Sequence, residues 1–129
     1  MEAAVFERPK SDVTAVALKA FARISDHWSL TLKEAASLAD MSESTWKRAK
    51  KAGYQGDLTQ DQVLRLSAIV GIYKSLELYF SAPIARDWVK LSNQGPEFEG
   101  TAPLLAMIRG GLPKIMRVRA YVDALRGGV

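Results

Sequence analysis

Between residue 11 and residue 126 the apolar side chains return every three or four positions, and no stretch alternates with period two. A spacing of three and four puts side chains on one face of a helix, whereas strands need a period of two. The chain is therefore expected to be all-α. In 11–26, SDVTAVALKAFARISD, the residues Val13, Val16, Ala17, Ala20, Phe21 and Ile24 predict one helix, with Ser11 or Asp12 placed to cap its start. Thr31 followed by Glu34 is a capping-box pair, which starts a second helix at about Leu32. Thr59 with Gln62 repeats the device ahead of a long apolar run, 60–80. There Val63, Leu66, Val70, Tyr73 and Glu77 trace one stripe, with Leu64, Ala68 and Ile72 beside it.

Glycine and proline interrupt the pattern at few places: Pro9, 50–57, 93–100 and 109–113. After Pro83 a shorter helix carries Trp88, and APLLAMI precedes a final helix in which Ile115, Val118, Val122 and Leu125 face one way. Pro113 sits at an acceptable first-turn position of that last helix, and RGG at 109–111 reads as a helix end and turn. This divides the chain into 1–56 and 57–129.

With no cysteine and a single histidine, His27, disulfides, thiolate metal sites and a histidine-built zinc site are excluded. His27 is expected at a surface or helix end. No apolar run reaches the roughly 18 residues of a membrane span, and the first ten residues lack a signal-peptide core, so a soluble cytoplasmic protein is expected. No Ser-His-Asp set, paired carboxylates or phosphate-binding glycine loop stands out, so no catalytic residue, cofactor or metal is expected. Trp28, Trp46 and Trp88, at helical spacing, read as core anchors. The net charge of +4 is unevenly placed. Residues 1–108 balance at 13 basic and 13 acidic side chains, whereas 109–129 carry Arg109, Lys114, Arg117, Arg119 and Arg126 against Asp123 alone. Such a basic segment suits an anionic partner, either nucleic acid or an acidic protein cleft.

The segment LTLKEAASLADMSESTWKRAKK, 30–51, meets the requirements of a DNA-binding helix-turn-helix. Ala35, Ala36 and Ala39 supply small residues where two helices cross. Met41 follows the turn, and Trp46 and Ala49 make the inner face of the second helix. The turn residue is Asp40 rather than glycine; aspartate is among the few others that tolerate positive φ. Ser42 is placed to cap the second helix. Glu43, Ser44, Lys47 and Arg48 would then face the major groove, while Ser42, Thr45, Lys50 and Lys51 could reach phosphate oxygens. The competing reading of KRAKK is a solvated helix face. So few phosphate contacts bind weakly, which makes a homodimer on a two-fold operator the expected form.

Residues 85–129 resemble the C-terminal toxin-binding domain of the Xre/MbcA/ParS antitoxin family. The resemblance rests on Trp88, Asn93, Pro96, Phe98, Gly100, Pro103, Leu104, Leu105, Gly110 and the closing Gly128-Val129. The upstream order, an Xre-like helix-turn-helix and then a long central helix, extends it over about 15–129. Two positions depart from the pattern: Asp40 replaces the turn glycine, and Pro96 stands off the usual Asn-Pro pairing. The resemblance implies an antitoxin, not an enzyme, that neutralises a RES-domain NAD-consuming toxin by covering its active-site cleft. It further implies operator binding by a dimer and no membrane. The toxin-facing residues would be Arg109, Arg117, Arg119, Tyr121, Arg126, Gly127, Gly128 and Val129; on charge grounds this basic terminus would either meet carboxylates in the cleft or place the terminal carboxylate where a cofactor phosphate binds. Two other readings stay open: a plain repressor whose C-terminal half only dimerises, and an inhibitor without DNA binding.

Overall fold

The computed structural model describes residues 10–127, and over these the fold is all-α with no strand. The helices are α1 (Lys10–His27), α2 (Leu32–Ala39), α3 (Glu43–Ala49), α4 (Gln60–Tyr79), α5 (Ile84–Asp87) and α6 (Pro103–Arg126), with a 3-10 turn at Trp88–Lys90. The N-terminal segment through Pro9 lies outside the described residues.

Local chemistry sets the starts of α2, α3 and α4. Thr31 accepts a hydrogen bond from the Glu34 amide and the Glu34 carboxylate accepts from the Thr31 amide, so two of the unpaired donors of the first turn are satisfied. Thr59 and Gln62 do the same for α4. α1 is already helical at Lys10, so Ser11 and Asp12 lie inside its first turn rather than capping it.

One cluster of buried side chains, from Leu18 to Val122, includes residues of every helix but α5. α4 lies at its centre, with α6 as its largest neighbour and α1 on another side. That placement corrects the single-stripe reading of α4. Its buried residues are Leu66, Ala68, Ile69, Ile72, Ser75 and Leu76. Val63, Val70 and Tyr73 pack partly buried against the core, while Glu77 and Leu64 are exposed. A helix held between partners on two sides buries a band wider than one stripe. On α1 the inward residues are Leu18, Phe21, Ile24 and Trp28, and Val13 and Val16 are 43% and 56% exposed. Alanine and valine surround so much of α1 that periodicity does not choose a face; the larger side chains do. The three tryptophans are buried as expected, and Phe21 meets Trp46 edge-on with ring centroids 5.1 Å apart.

α6 is two helical arms joined at Gly111, whose φ of 64° and ψ of −157° are open to glycine and strained for any residue with a Cβ. Pro113 falls in the first turn of the second arm, where its missing N–H costs nothing. Ile115, Val118 and Val122 of that arm are fully buried, and Leu125 is half-buried. The second arm runs parallel to α4. The Arg65 guanidinium lies against Gly111, the Arg119 guanidinium lies over Gly71, and the Ser75 hydroxyl donates to Asp123 at 2.6 Å.

Candidate nucleic-acid interface

The corner between α2 and α3 is built by a left-handed residue and a cap. Asp40 adopts φ 58°, ψ 50°, and its N–H turns back to the Ala36 and Ser37 carbonyls. The Met41 N–H follows onto Ala36 O at 2.9 Å. Ser42 is extended, and its hydroxyl oxygen accepts from the Thr45 amide at 3.1 Å, which starts α3. Ala35, Ala36 and Ala39 are buried on one side of the crossing, with Trp46 and Ala49 on the other and Met41 partly buried between. Both the left-handed turn and the serine cap match the reading from the residues.

With the inner face of α3 thus occupied, its outer face carries Glu43, Ser44, Lys47 and Arg48, all exposed, followed by exposed Lys50 and Lys51. Ser42 is also exposed, but its hydroxyl is engaged, accepting from the Thr45 amide and lying 2.9 Å from Thr45 Oγ1. Thr45 is half-buried and accepts from the Arg48 guanidinium at 3.3 Å. Ser42 and Thr45 therefore hold the start of α3 together, while Ser44, Lys47, Arg48, Lys50 and Lys51 line, with Leu32, an open groove of about 580 Å³. Residues 42–51 place four cations against one carboxylate, and none of the four is in an ion pair among the described residues. A neighbouring groove of about 640 Å³ adds Lys19 of α1 to Lys50 and Lys51. Nothing in the spacing along α1 marks Lys19 for this edge; only the packing of α1 beside the 50–56 loop brings it there.

Of the C-terminal residues singled out from the resemblance, Arg117, Arg119 and Tyr121 are engaged within the fold. Arg117 and Lys114 both bond the Glu97 carboxylate, at 3.3 and 3.1 Å. The hydrogen bond from Lys114, with the charges of Lys114 and Arg117 adding to it, holds the Glu97 carboxyl below its ordinary range and outweighs the opposing effect of desolvation. Tyr121 lies half-buried among aromatics, stacked on Trp88 at 6.3 Å and edge-on to Phe98 at 5.3 Å. Arg119 points to α4 and lies 3.6 Å from the Asp123 carboxylate. Arg109 is exposed on the first arm, and Gly127 is exposed where the second arm closes. The Arg126 side chain, Gly128 and Val129 lie outside the described residues. The loop that precedes α6 is closed at its base by Gly100 N–H on Asn93 O and by the Asn93 side chain accepting from the Gly95 amide. Among the described residues no group of acidic, histidine or cysteine side chains could hold a metal, and no helix is long and apolar enough to cross a membrane.

Residues 7–71, a span that holds α1, the corner and the first half of α4, match the family model of the antitoxin Xre-like helix-turn-helix domain. Over 124 residues the chain is 40% identical to the uncharacterized protein y4oB of Sinorhizobium fredii, covering 93% of each chain. No solved structure matches significantly. The matched span covers half the chain and contains the left-handed turn, the serine cap and the cationic outer face. The chain belongs to the Xre-like helix-turn-helix antitoxin family.

Proposed function

We propose that this protein neutralises a RES-domain toxin that consumes NAD, and that as a homodimer it represses its own operon through the α2–α3 corner. The observation that carries the DNA half is the outer face of α3, where Lys47, Arg48, Lys50 and Lys51 are exposed without carboxylate partners beside a correctly formed turn. Glu43, Ser44, Lys47 and Arg48 would meet base edges, with Lys50 and Lys51 on the phosphates and Ser42 and Thr45 holding the helix start beside them. Two copies would place their α3 helices in successive major grooves, about 34 Å apart. In the toxin half, residues 57–129 present Arg109, Arg117, Arg119, Arg126 and the Gly127–Val129 end to the toxin cleft, with Tyr121 supporting them from within. The Arg117–Glu97 pair is half open to solvent and weakly held, so a cluster of carboxylates on a partner could replace it.

Binding of a duplex from immediately upstream of the gene, measured by fluorescence anisotropy across salt concentrations, tests the DNA half. Each phosphate contact removed by Lys50→Ala or Lys51→Ala should lower the slope of log K against log salt by about 0.9. Unchanged slopes in both variants would exclude these lysines as phosphate contacts. Co-expression with the product of the neighbouring open reading frame, followed by measurement of cellular NAD, tests the toxin half. NAD should be spared by the wild-type chain, and its depletion despite co-expression would refute neutralisation. One observation favours a second reading, a repressor whose C-terminal half only dimerises: Arg117 and Arg119 already have carboxylate partners within the fold.

A further inference from the structure

α3 is a helix of seven residues whose main helical neighbour is α2, so the angle at which it is presented follows α2 and the turn. Both ends of α2 are held by side chains from residues 57–129. At its start, Lys90 of the 3-10 turn donates to Ser29 O and lies 3.8 Å from the Glu34 carboxylate. At its end, where helix carbonyls lose their internal partners, two residues of α4 supply donors. The Gln62 side-chain amide donates to Asp40 O at 2.9 Å, and its oxygen accepts from the Thr59 N–H at 2.9 Å. One amide group thus caps α4 and grips the turn of the corner. The Arg65 guanidinium donates to Leu38 O at 3.3 Å and is steadied by Asp61 at 2.6 Å, with the side chain only 13% exposed. Its cationic end also suits the negative pole of α2. The other terminal nitrogen of the same guanidinium lies 3.3 Å from where a Cβ on Gly111 would stand.

We propose that Gln62 and Arg65 are positioning residues of the DNA-binding corner, holding the α2–α3 turn from the central helix and tying it to the Gly111 kink of α6. The proposal rests on the DNA reading of the corner and adds what holds that corner in place. Neither residue touches DNA in this arrangement; both act through the backbone of Leu38 and Asp40.

Gln62→Glu separates the two jobs of Gln62, because a carboxylate still accepts from the Thr59 amide but has no proton for Asp40 O. Arg65→Met removes the other donor while keeping an apolar stem. Full-length variants are compared by melting temperature, by amide hydrogen exchange at Asp40 and Met41, and by anisotropy on the upstream duplex. For Gln62→Glu the melting temperature should stay within a few degrees, and exchange at Asp40 and Met41 should speed up roughly five- to tenfold, as for one lost hydrogen bond. Duplex affinity should fall by a similar factor in both variants with the salt slope unchanged. Exchange at the turn that matches wild type overturns the clamp, as does faster exchange spread evenly over all helices. A slope reduced by about 0.9 in Arg65→Met overturns it as well, since Arg65 would then itself contact phosphate. If the wild-type chain binds no duplex, the DNA reading falls, while exchange at Asp40 and Met41 still decides whether the clamp exists.

Discussion

Replacing Asp40 by glycine should make the protein more stable, although the residue sits in the middle of the candidate DNA-binding corner. At φ 58°, ψ 50° an L-residue carries a steric cost of about 1–2 kcal/mol, with aspartate toward the low end. Its carboxylate also lies at the C-terminal end of α2, where the helix dipole disfavours an anion by about 0.3–1 kcal/mol. Glycine removes both costs but gives back about 0.5–1 kcal/mol through the larger freedom of the unfolded chain. The balance is a gain of about 1 kcal/mol, or a melting point higher by roughly 3–5 °C for a chain of this size. The Asp40 carbonyl that accepts from Gln62 belongs to the backbone and survives the change. Thermal unfolding followed by circular dichroism reads the effect, with Asp40→Asn as the partner variant. Asparagine removes only the charge, so its smaller gain should shrink at high salt while most of the glycine gain persists. A glycine variant that melts at or below the wild-type temperature would refute the assignment of strain to this turn.

Gly111→Ala should cost about 1–3 kcal/mol, because the φ and ψ of the kink suit glycine alone; chemical denaturation checks it. Trp46→Ala should cost about 3–5 kcal/mol by emptying the site between α1 and α3, read in the same assay with an unchanged far-ultraviolet spectrum below the transition. Because the folded Glu97 carboxyl is held below its ordinary 4.5, its contact with Lys114 and Arg117 contributes above that value and is lost as the pH falls through the lowered one. In a carboxyl titration by nuclear magnetic resonance, Lys114→Ala should therefore move the Glu97 midpoint upward, and an unmoved midpoint would contradict the bond.

The parts of this fold legible in the residues are those set by near neighbours in the chain. Thr31 with Glu34 and Thr59 with Gln62 form the capping boxes their spacing implies, and Asp40 takes the left-handed turn. The RGG segment contains the break between two helical arms, and the small face of α2 and the inner face of α3 fall at Ala35, Ala36, Ala39, Trp46 and Ala49. Other features escaped. Ile69 is fully buried although it lies off the expected stripe, because α4 has partners on two sides. His27 ends α1 as expected, but nothing near it in the chain points to Tyr73, whose hydroxyl lies 2.6 Å from His27 Nδ1. The basic C-terminal segment reads as free charge, yet Lys114 and Arg117 are bound to Glu97, and Arg119 is paired with Asp123 and laid over Gly71.

Residue order alone determined where α2, α3 and α4 start and that two of them meet at a cationic corner. These features depend on hydrogen bonds and steric limits acting within about four residues. Tertiary structure decided which face of each helix is buried, which cations remain free for a partner, and that Gln62 and Arg65 hold the corner from outside it. Those outcomes join residues 22 and 27 positions apart, such as Gln62 with Asp40 and Arg65 with Leu38. Their meeting is set by the relative rotation of whole helices, which no local spacing encodes.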